Sequence, residues 1–222
     1  MEQIRTNRAH AFTAQELRRR ADGVLKPPAS VQTVLMTGRA RRSDLDLNSD
    51  AADGHADAQT RSAAVLVPII AREPEATVLL TKRTEILSEH PGQIAFPGGR
   101  MDKIDLSPME TALREAREEI GLDRVHVDVI GFLETYQTIT NFRVAPAVAI
   151  VSPEFTLRLD EIEVAEAFEV PLRFLMDVDN HQIHSRAREG AERFYYAMPY
   201  GERYIWGATA GILHNLYEWL YG

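Results

Sequence analysis

The stretch GQIAFPGGRMDKIDLSPMETALREAREEIGL, residues 92–122, decides the expected fold and site of this chain. It predicts a strand, a glycine turn at Gly98 and Gly99, a loop, and then a helix over Pro108–Ile120. Ser107 is a good N-cap residue, and proline is favoured at the first helical position. Gly121 can end the helix in the left-handed conformation. Start and stop signals therefore both favour this helix.

The predicted helix has an apolar face and an acidic face. Its apolar face is formed by residues that recur at helical spacing, namely Met109, Ala112, Leu113 and Ala116. Glu115, Glu118 and Glu119 stand three and four positions apart, so their carboxylates are expected on another face. Oxygen ligands converging on one patch suit a hard cation such as Mg²⁺. An ordinary solvated acidic face is the alternative that three glutamates alone leave open.

The segment Arg-Glu-Ala-Arg-Glu-Glu-Ile-Gly-Leu, residues 114–122, resembles the core of the Nudix box. Arg114 precedes Glu118 by one turn and can orient it. The usual box spacing places a further glutamate where Leu106 stands here, and Asp105 is its nearest substitute. Gly99 is one residue too early for that spacing, as if the loop carried a one-residue insertion.

A second segment resembles the signature that precedes the Nudix box in coenzyme A pyrophosphatases. It comprises Leu-Leu-Thr-Lys-Arg at 79–83, Leu87, His90 and Gly-Gln-Ile-Ala-Phe-Pro-Gly-Gly at 92–99. The longer loop, and an Asp in place of the missing glutamate, are common in that subfamily. The resemblance implies the Nudix fold, an α/β/α sandwich with a mixed β-sheet, within an α/β (α+β) class. It also implies Mg²⁺ or Mn²⁺ as cofactor, and a homodimer at the level of the family.

The resemblance also implies roles for individual residues. Glu115 and Glu119 would be principal metal ligands, and Glu118 would be a ligand or the catalytic base. Residues 162–172 resemble a second acidic element of Nudix enzymes, in which Glu163 would complete the metal site or act as base. Residues 160–168 are predicted to form a helix, and a merely solvated face of that helix is the alternative interpretation of Glu163. Arg83 would bind substrate phosphate together with the turn at Gly98 and Gly99, unless it forms only a surface salt bridge.

Composition limits the classes of function. The net charge of −8 argues against general nucleic-acid binding. No apolar run reaches the length of a membrane span, and no signal peptide is expected, so the cytoplasm is the simplest predicted location. The absence of cysteine excludes disulfides, a thiolate zinc site and a cysteine nucleophile within this sequence.

Residues 1–62 are predicted to be an N-terminal extension, and residues 63–222 the Nudix hydrolase domain. The extension contains a short helix over Ala14–Ala21, with Thr13 and Glu16 as a capping box, and a mobile linker over residues 43–59 that includes His55. Nine basic and three acidic residues lie in 1–42, whereas the remainder holds 16 and 30. The basic end could therefore dock on the acidic body or on a partner subunit, or stay a solvated tail.

The rest of the domain alternates between predicted strands and helices. Strands are expected at residues 63–70, 77–81, 125–135, 143–151 and 193–199. The last helix is expected to open at Ile205 and run to Leu220, with Trp206 and Thr209 in structural roles.

The resemblance implies a metal-dependent diphosphate hydrolase that cleaves coenzyme A or a derivative to 4′-phosphopantetheine and 3′,5′-ADP. Two alternatives remain at this point. In the first, the same hydrolysis acts on ADP-ribose, a dinucleotide or a nucleoside triphosphate. In the second, the chain is a non-catalytic binding or regulatory module with a degenerate box, which the intact glutamates disfavour.

Overall fold

The computed structural model describes residues 10–27, 42–48, 60–188 and 190–222. Within them, a nine-stranded mixed sheet and a three-stranded antiparallel sheet combine with four α-helices. None of the helices in these ranges is long and apolar enough to cross a membrane.

The strands of the large sheet are β1 (Arg42–Ser43), β2 (Arg61–Ile70), β3 (Thr77–Arg83), β4 (Ile94–Ala95), β5 (Gly98–Arg100), β6 (Val127–Phe132), β7 (Tyr136–Gln137), β8 (Phe142–Val151) and β9 (Val164–Pro171). The small sheet contains β10 (Gln182–Arg188), β11 (Ala191–Tyr200) and β12 (Arg203–Trp206). The helices are α1 (Ala14–Ala21), α2 (Pro108–Ile120), α3 (Leu172–Leu175) and α4 (Ala208–Leu220).

Strand β2 is the centre of the large sheet. It runs parallel to β8 along its whole length and pairs antiparallel with β5 and β3 on its other side. The strand order is β1-β7-β8-β2-β3-β4, with β6 on β8 and β9 on β3. A strand with neighbours on both edges and cover on both faces must be apolar throughout, which explains the continuous run at 63–70. That prediction of a buried strand is confirmed.

Helices cover both faces of the large sheet. Ala64 and Leu66 of β2 pack in one buried cluster with Leu113 of α2. Val67, from the opposite face, belongs to a second cluster with Leu213 of α4 and residues of α1. The α/β/α sandwich with a mixed sheet is therefore confirmed.

Helix α2 has the predicted bounds because its local signals agree. The Ser107 hydroxyl accepts a hydrogen bond from the Glu110 backbone N–H at 3.2 Å. Gly121 adopts φ 68° at the C-cap. The Glu110 carboxylate pairs with Arg124 instead of returning to the cap, so the N-terminus carries half of a capping box.

The predicted helix over residues 160–168 is wrong. A turn at 161–163 leads directly into β9, which pairs antiparallel with β3. Val164, Phe168 and Val170 are buried on this strand at positions separated by even numbers of residues, as a strand requires. The acidic residues between them hide this pattern in the sequence. The pairing with β3 joins segments about 90 residues apart, so no local signal announces it.

The C-terminal region also departs from prediction. Ile205 and Trp206 belong to β12, and α4 begins at Ala208 after Gly207, whose φ of 65° breaks the strand. Strand β10 was not predicted. The strands predicted at 63–70, 77–81, 143–151 and 193–199 fall within β2, β3, β8 and β11. The strand predicted at 125–135 is shorter, because residues 124–126 form a 3₁₀ turn before β6.

Described parts of the N-terminal extension pack on the domain. Helix α1 has its predicted bounds, and Arg18 pairs with Asp128 at 2.6 Å. Lys26 pairs with Glu134, whose side chain is 7% exposed, at 2.7 Å. Docking of the basic end on the acidic body is thus confirmed for residues 10–27. Of the predicted mobile linker, residues 43–48 instead contact the body, whereas His55 and the rest lie outside the described residues.

Candidate active site

A cavity of about 510 Å³ lies at the end of the large sheet beside α2. Six of the residues singled out from the sequence line it, namely Arg83, Gly98, Gly99, Glu115, Glu119 and Glu163. Glu118 and Arg114 do not. The fold therefore brings most of the predicted site together from four separate segments of the chain.

Glu119 is a buried carboxylate of the cavity, with 5% exposure. Burial raises its pKa to about 8, and the negative charges of Glu115 and Glu163 act in the same direction. A hydrogen bond from the Gly98 backbone N–H at 3.1 Å and the charge of Arg83 act against that rise. The positive charge near Glu119 is thus too small to balance the surrounding carboxylates, so a cation would be attracted to this position.

Gly98 and Gly99 are needed for different reasons. They form β5 and pair with β2, so the predicted glycine turn is corrected to a short strand. A Cβ on Gly98 would meet the Ala64 carbonyl oxygen at 2.5 Å, because the two backbones are in close contact. A Cβ on Gly99 would meet the Glu115 carboxylate at 2.6–2.7 Å. Because Gly99 has no side chain, the Glu115 carboxylate can lie against its backbone.

Glu118 is placed differently from the other two helix glutamates. Its side chain is 59% exposed and accepts a hydrogen bond at 2.8 Å from Arg114, the residue predicted to orient it. The same Arg114 nitrogen, Nη1, lies 2.8 Å from Glu115. Burial raises the pKa of Glu115, and the Arg114 charge partly offsets this. One guanidinium thus connects two of the three carboxylates.

Asp105 fixes that guanidinium from the loop before α2. Arg114 donates from Nε and Nη2 to the two carboxylate oxygens at 2.9 and 2.8 Å. Asp105 also accepts from the Thr111 hydroxyl at 3.0 Å, and its side chain is 4% exposed. The Arg114 hydrogen bonds lower the Asp105 pKa to about 2. A bidentate, buried pair of this kind gives geometric specificity, so Asp105 occupies the bracing position anticipated for a glutamate.

Glu163 and Arg83 approach the cavity from β9 and β3. Glu163 stands in the turn before β9, and its charge acts on both Glu115 and Glu119. Arg83 ends β3, and its Nε is buried with no hydrogen-bond partner among the described residues. A buried guanidinium donor without an acceptor is costly unless a ligand supplies one. Arg83 can therefore offer a donor to an anion in the cavity.

The donor set fits a hard divalent cation. Glu115 and Glu119 present carboxylate oxygens, and Glu163 adds a third negative charge. Glycine at position 99 leaves room for the Glu115 carboxylate. Among the described residues, no three acidic or histidine side chains are close enough to hold a metal ion by themselves. Mg²⁺ commonly completes its shell with water and substrate phosphate, so a site with few protein ligands is consistent with this ion.

Several further lining residues have no site signal in the sequence, among them Asp44, Arg186 and Trp206. The Asp44 carboxylate accepts hydrogen bonds from the Tyr136 hydroxyl at 2.6 Å and the Ile139 N–H at 2.9 Å. Burial raises the Asp44 pKa, against the effect of the Tyr136 hydrogen bond. These residues come from segments far from the helix, so only the tertiary fold reveals them.

Comparisons with known proteins identify the family of this chain. A family profile described as "NUDIX domain" matches residues 60–194, more than half of the chain. The chain belongs to the Nudix hydrolase family. A protein of Cronobacter sakazakii named "Uncharacterized Nudix hydrolase NudL" is 42% identical over 156 residues, covering 70% of this chain and 81% of that protein. The protein of the same name from Escherichia coli K12 is 39% identical over equal coverage.

Solved structures of the family are more distant. A MutT/nudix family protein from Enterococcus faecalis has a TM-score of 0.48 at 14% identity, covering 86% of this chain and 73% of that one. An Ap4A hydrolase binary complex from C. elegans has a TM-score of 0.43 at 18% identity, covering 51% and 82%.

Family membership establishes the general reaction. As a Nudix hydrolase, this chain is an enzyme that acts on pyrophosphate bonds of small nucleoside diphosphate compounds, and such enzymes generally use divalent metal ions. The acidic cavity described above contains carboxylates and a cationic side chain, the kinds of group that metal and diphosphate binding require.

Proposed function

We propose that this Nudix hydrolase cleaves the diphosphate of coenzyme A, or of a coenzyme A derivative, to 4′-phosphopantetheine and 3′,5′-ADP. One observation carries the proposal. The segment whose sequence resembles the coenzyme A pyrophosphatase signature forms a wall of the acidic cavity. Its lining residues include Arg83, His90, Gln93, Phe96 and Gly98. A signature that faces the reacting groups is placed to select the substrate, rather than to stabilise a remote part of the fold.

In the proposed reaction, Glu115 and Glu119 would hold Mg²⁺ or Mn²⁺. The ion would supply positive charge to the diphosphate and activate the attacking water. Arg83 donates its free Nε–H to a phosphate oxygen and compensates negative charge on the transferred group. The Gly98 N–H and the Arg114–Asp105 pair keep the two glutamates in position.

Two carboxylates are candidates for the base that accepts the proton of the attacking water. Glu163 lines the cavity, whereas the Glu118 carboxylate is exposed and bonded to Arg114. A base must come within hydrogen-bond reach of the proton that it removes. This geometry favours Glu163 as base, with Glu118 as a further metal ligand if its side chain leaves Arg114.

The direct test uses the purified protein with Mg²⁺ or Mn²⁺ and a panel of diphosphates, with products resolved by mass. The panel contains coenzyme A, dephospho-coenzyme A, ADP-ribose, diadenosine polyphosphates and nucleoside triphosphates. Preferential cleavage of coenzyme A, seen as release of 4′-phosphopantetheine together with 3′,5′-ADP, supports the proposal. Preferential cleavage of another compound rejects coenzyme A as substrate while leaving the acidic mechanism. Metal binding without turnover of any compound would instead support a binding module.

A further inference from the structure

The small sheet presents a row of aromatic side chains beside the cavity. Tyr195 and Trp206 meet edge to face, with ring centroids 5.2 Å apart. Tyr204 stacks near Trp206 at 6.4 Å and on His184 at 5.9 Å. These side chains share one face of β10–β12, whereas Met198 and Ile205, on the opposite face, are buried in the core. The row is thus a rigid aromatic surface that the core does not use.

Trp206 is the member of this row that reaches the cavity. It lines the main cavity together with Gly207, next to β4 of the signature segment. It also lines a smaller cavity of about 50 Å³ that shares Asp44, Ile139 and Arg186 with the main one. Part of the indole is therefore open to a ligand bound at the acidic site.

A positive charge stands at the same place. The Arg186 guanidinium lies 4.7 Å from the centre of the Trp206 ring, and Arg186 lines both cavities. Asp44 is near enough for its charge to interact with Arg186. No salt bridge engages Arg186 within the described residues, so its donors remain available to an anion.

We propose that Trp206 and Arg186 form the subsite for the phosphorylated adenosine half of the substrate. The adenine ring stacks on the Trp206 indole, and Arg186 binds the phosphate on the ribose. Every nucleobase has a π-face that an aromatic side chain can stack, and a guanidinium matches phosphate geometry. This subsite rests on the proposed function. Arg186 supplies a basic group for the 3′-phosphate that coenzyme A carries and dephospho-coenzyme A lacks.

A fluorescence titration tests the stacking without any turnover. The sequence contains two tryptophans, and the second, Trp219, is 41% exposed on α4 and does not line the cavity. In the Trp219→Phe protein, Trp206 is the single tryptophan, so selective excitation of tryptophan reports on this residue alone. Adenosine 3′,5′-bisphosphate, without metal, should quench its emission in a saturable manner. 4′-Phosphopantetheine and inorganic pyrophosphate, which lack a base, should not. Equal quenching by phosphopantetheine, or no quenching by the bisphosphate, overturns the subsite.

Steady-state kinetics then separate the two residues. Trp206→Ala should raise KM for coenzyme A roughly tenfold or more with kcat little changed, as expected for loss of one stacked base. Trp206→Phe should restore most of the affinity. Arg186→Gln should raise KM for coenzyme A and leave KM for dephospho-coenzyme A unchanged. A fall in kcat alone for Trp206→Ala, or an equal effect of Arg186→Gln on both compounds, contradicts the assignment.

Failure of the subsite and failure of the proposed function give different results. Cleavage of coenzyme A without a fluorescence response rejects the subsite and leaves the function. A saturable response with preferential cleavage of another adenine nucleotide rejects coenzyme A and supports base stacking on Trp206. If Trp206→Ala does not fold, as judged by circular dichroism, the titration decides, because it leaves Trp206 in place.

Discussion

Replacing Gly99 by alanine is expected to damage the reaction and spare the fold. The new Cβ would lie 2.6 Å from the Glu115 carboxyl carbon and 2.7 Å from each of its oxygens. Because ordinary contact begins at 3.4 Å, the carboxylate must retreat by about 0.8 Å. The backbone at Gly99 lies outside the positive-φ region, so alanine adds no conformational strain there.

The two consequences differ in size. A displacement of about 1 Å at a reacting group can lower kcat by about 100-fold, since alignment supplies much of the rate. The colliding group is the end of a flexible side chain, so the free energy of unfolding should fall by less than about 1 kcal/mol. Gly99→Ala should therefore be folded, and nearly inactive.

Gly98→Ala is the matched control within the same dipeptide. Its Cβ would meet the backbone of β2, at 2.5 Å from the Ala64 carbonyl oxygen, and its φ is 154°. Backbone cannot retreat as a side chain can, so a loss of about 2–4 kcal/mol is expected. Urea denaturation measures stability, and kcat is measured on the diphosphate that the wild type cleaves fastest. Full activity of Gly99→Ala, or equal destabilisation by both changes, would refute the reasoning.

Three further predictions follow from the carboxylates. Burial raises the Glu119 pKa to about 8, so the metal-free protein should lose on the order of 3 kcal/mol of stability as pH rises from about 4.5 to 8. Glu119→Gln should abolish this loss, which urea denaturation in the presence of a chelator measures. Asp105→Asn should cost about 2 kcal/mol at pH 7, a difference that shrinks as pH falls from about 4 towards 2, where Asp105 becomes protonated. Glu110→Gln, in an exposed pair on the same helix, should cost under about 0.5 kcal/mol and serves as its control. Glu163→Gln should lower kcat by about 10²–10⁴ with little change in KM, and a larger loss for Glu118→Gln would transfer the role of base.

Local signals were sufficient to predict α2 and its caps. A cap at Ser107, a proline at the first turn and a left-handed Gly121 act within one segment, and the structure has all three. Asp105 could be named as the bracing residue because it lies on the same loop. The exposure of Glu118 could not be predicted, because its position depends on how Arg114 divides its donors among Asp105, Glu115 and Glu118.

Non-local pairing explains what the sequence did not reveal. Glu161, Glu163 and Glu166 favour a solvated helix in the sequence, whereas pairing with β3 makes residues 164–171 a strand. Trp206 and Arg186 are 20 residues apart on different strands, and only the assembly of the small sheet places one over the other. A contact of this kind has no signature in a single sequence.

The short segment around Asp44 has a consequence for where this protein can be cut. Asp44 lies before the region shared with the family, yet it lines the cavity and accepts the hydrogen bond of the buried Tyr136 hydroxyl. The shared region also stops at residue 194, inside β11, and leaves out Trp206. An expression clone trimmed to residues 60–194 would keep Glu115, Glu119 and Glu163 and would lose Asp44 and Trp206 from the wall of the same cavity. The region shared with the family is therefore shorter than the region that forms this cavity.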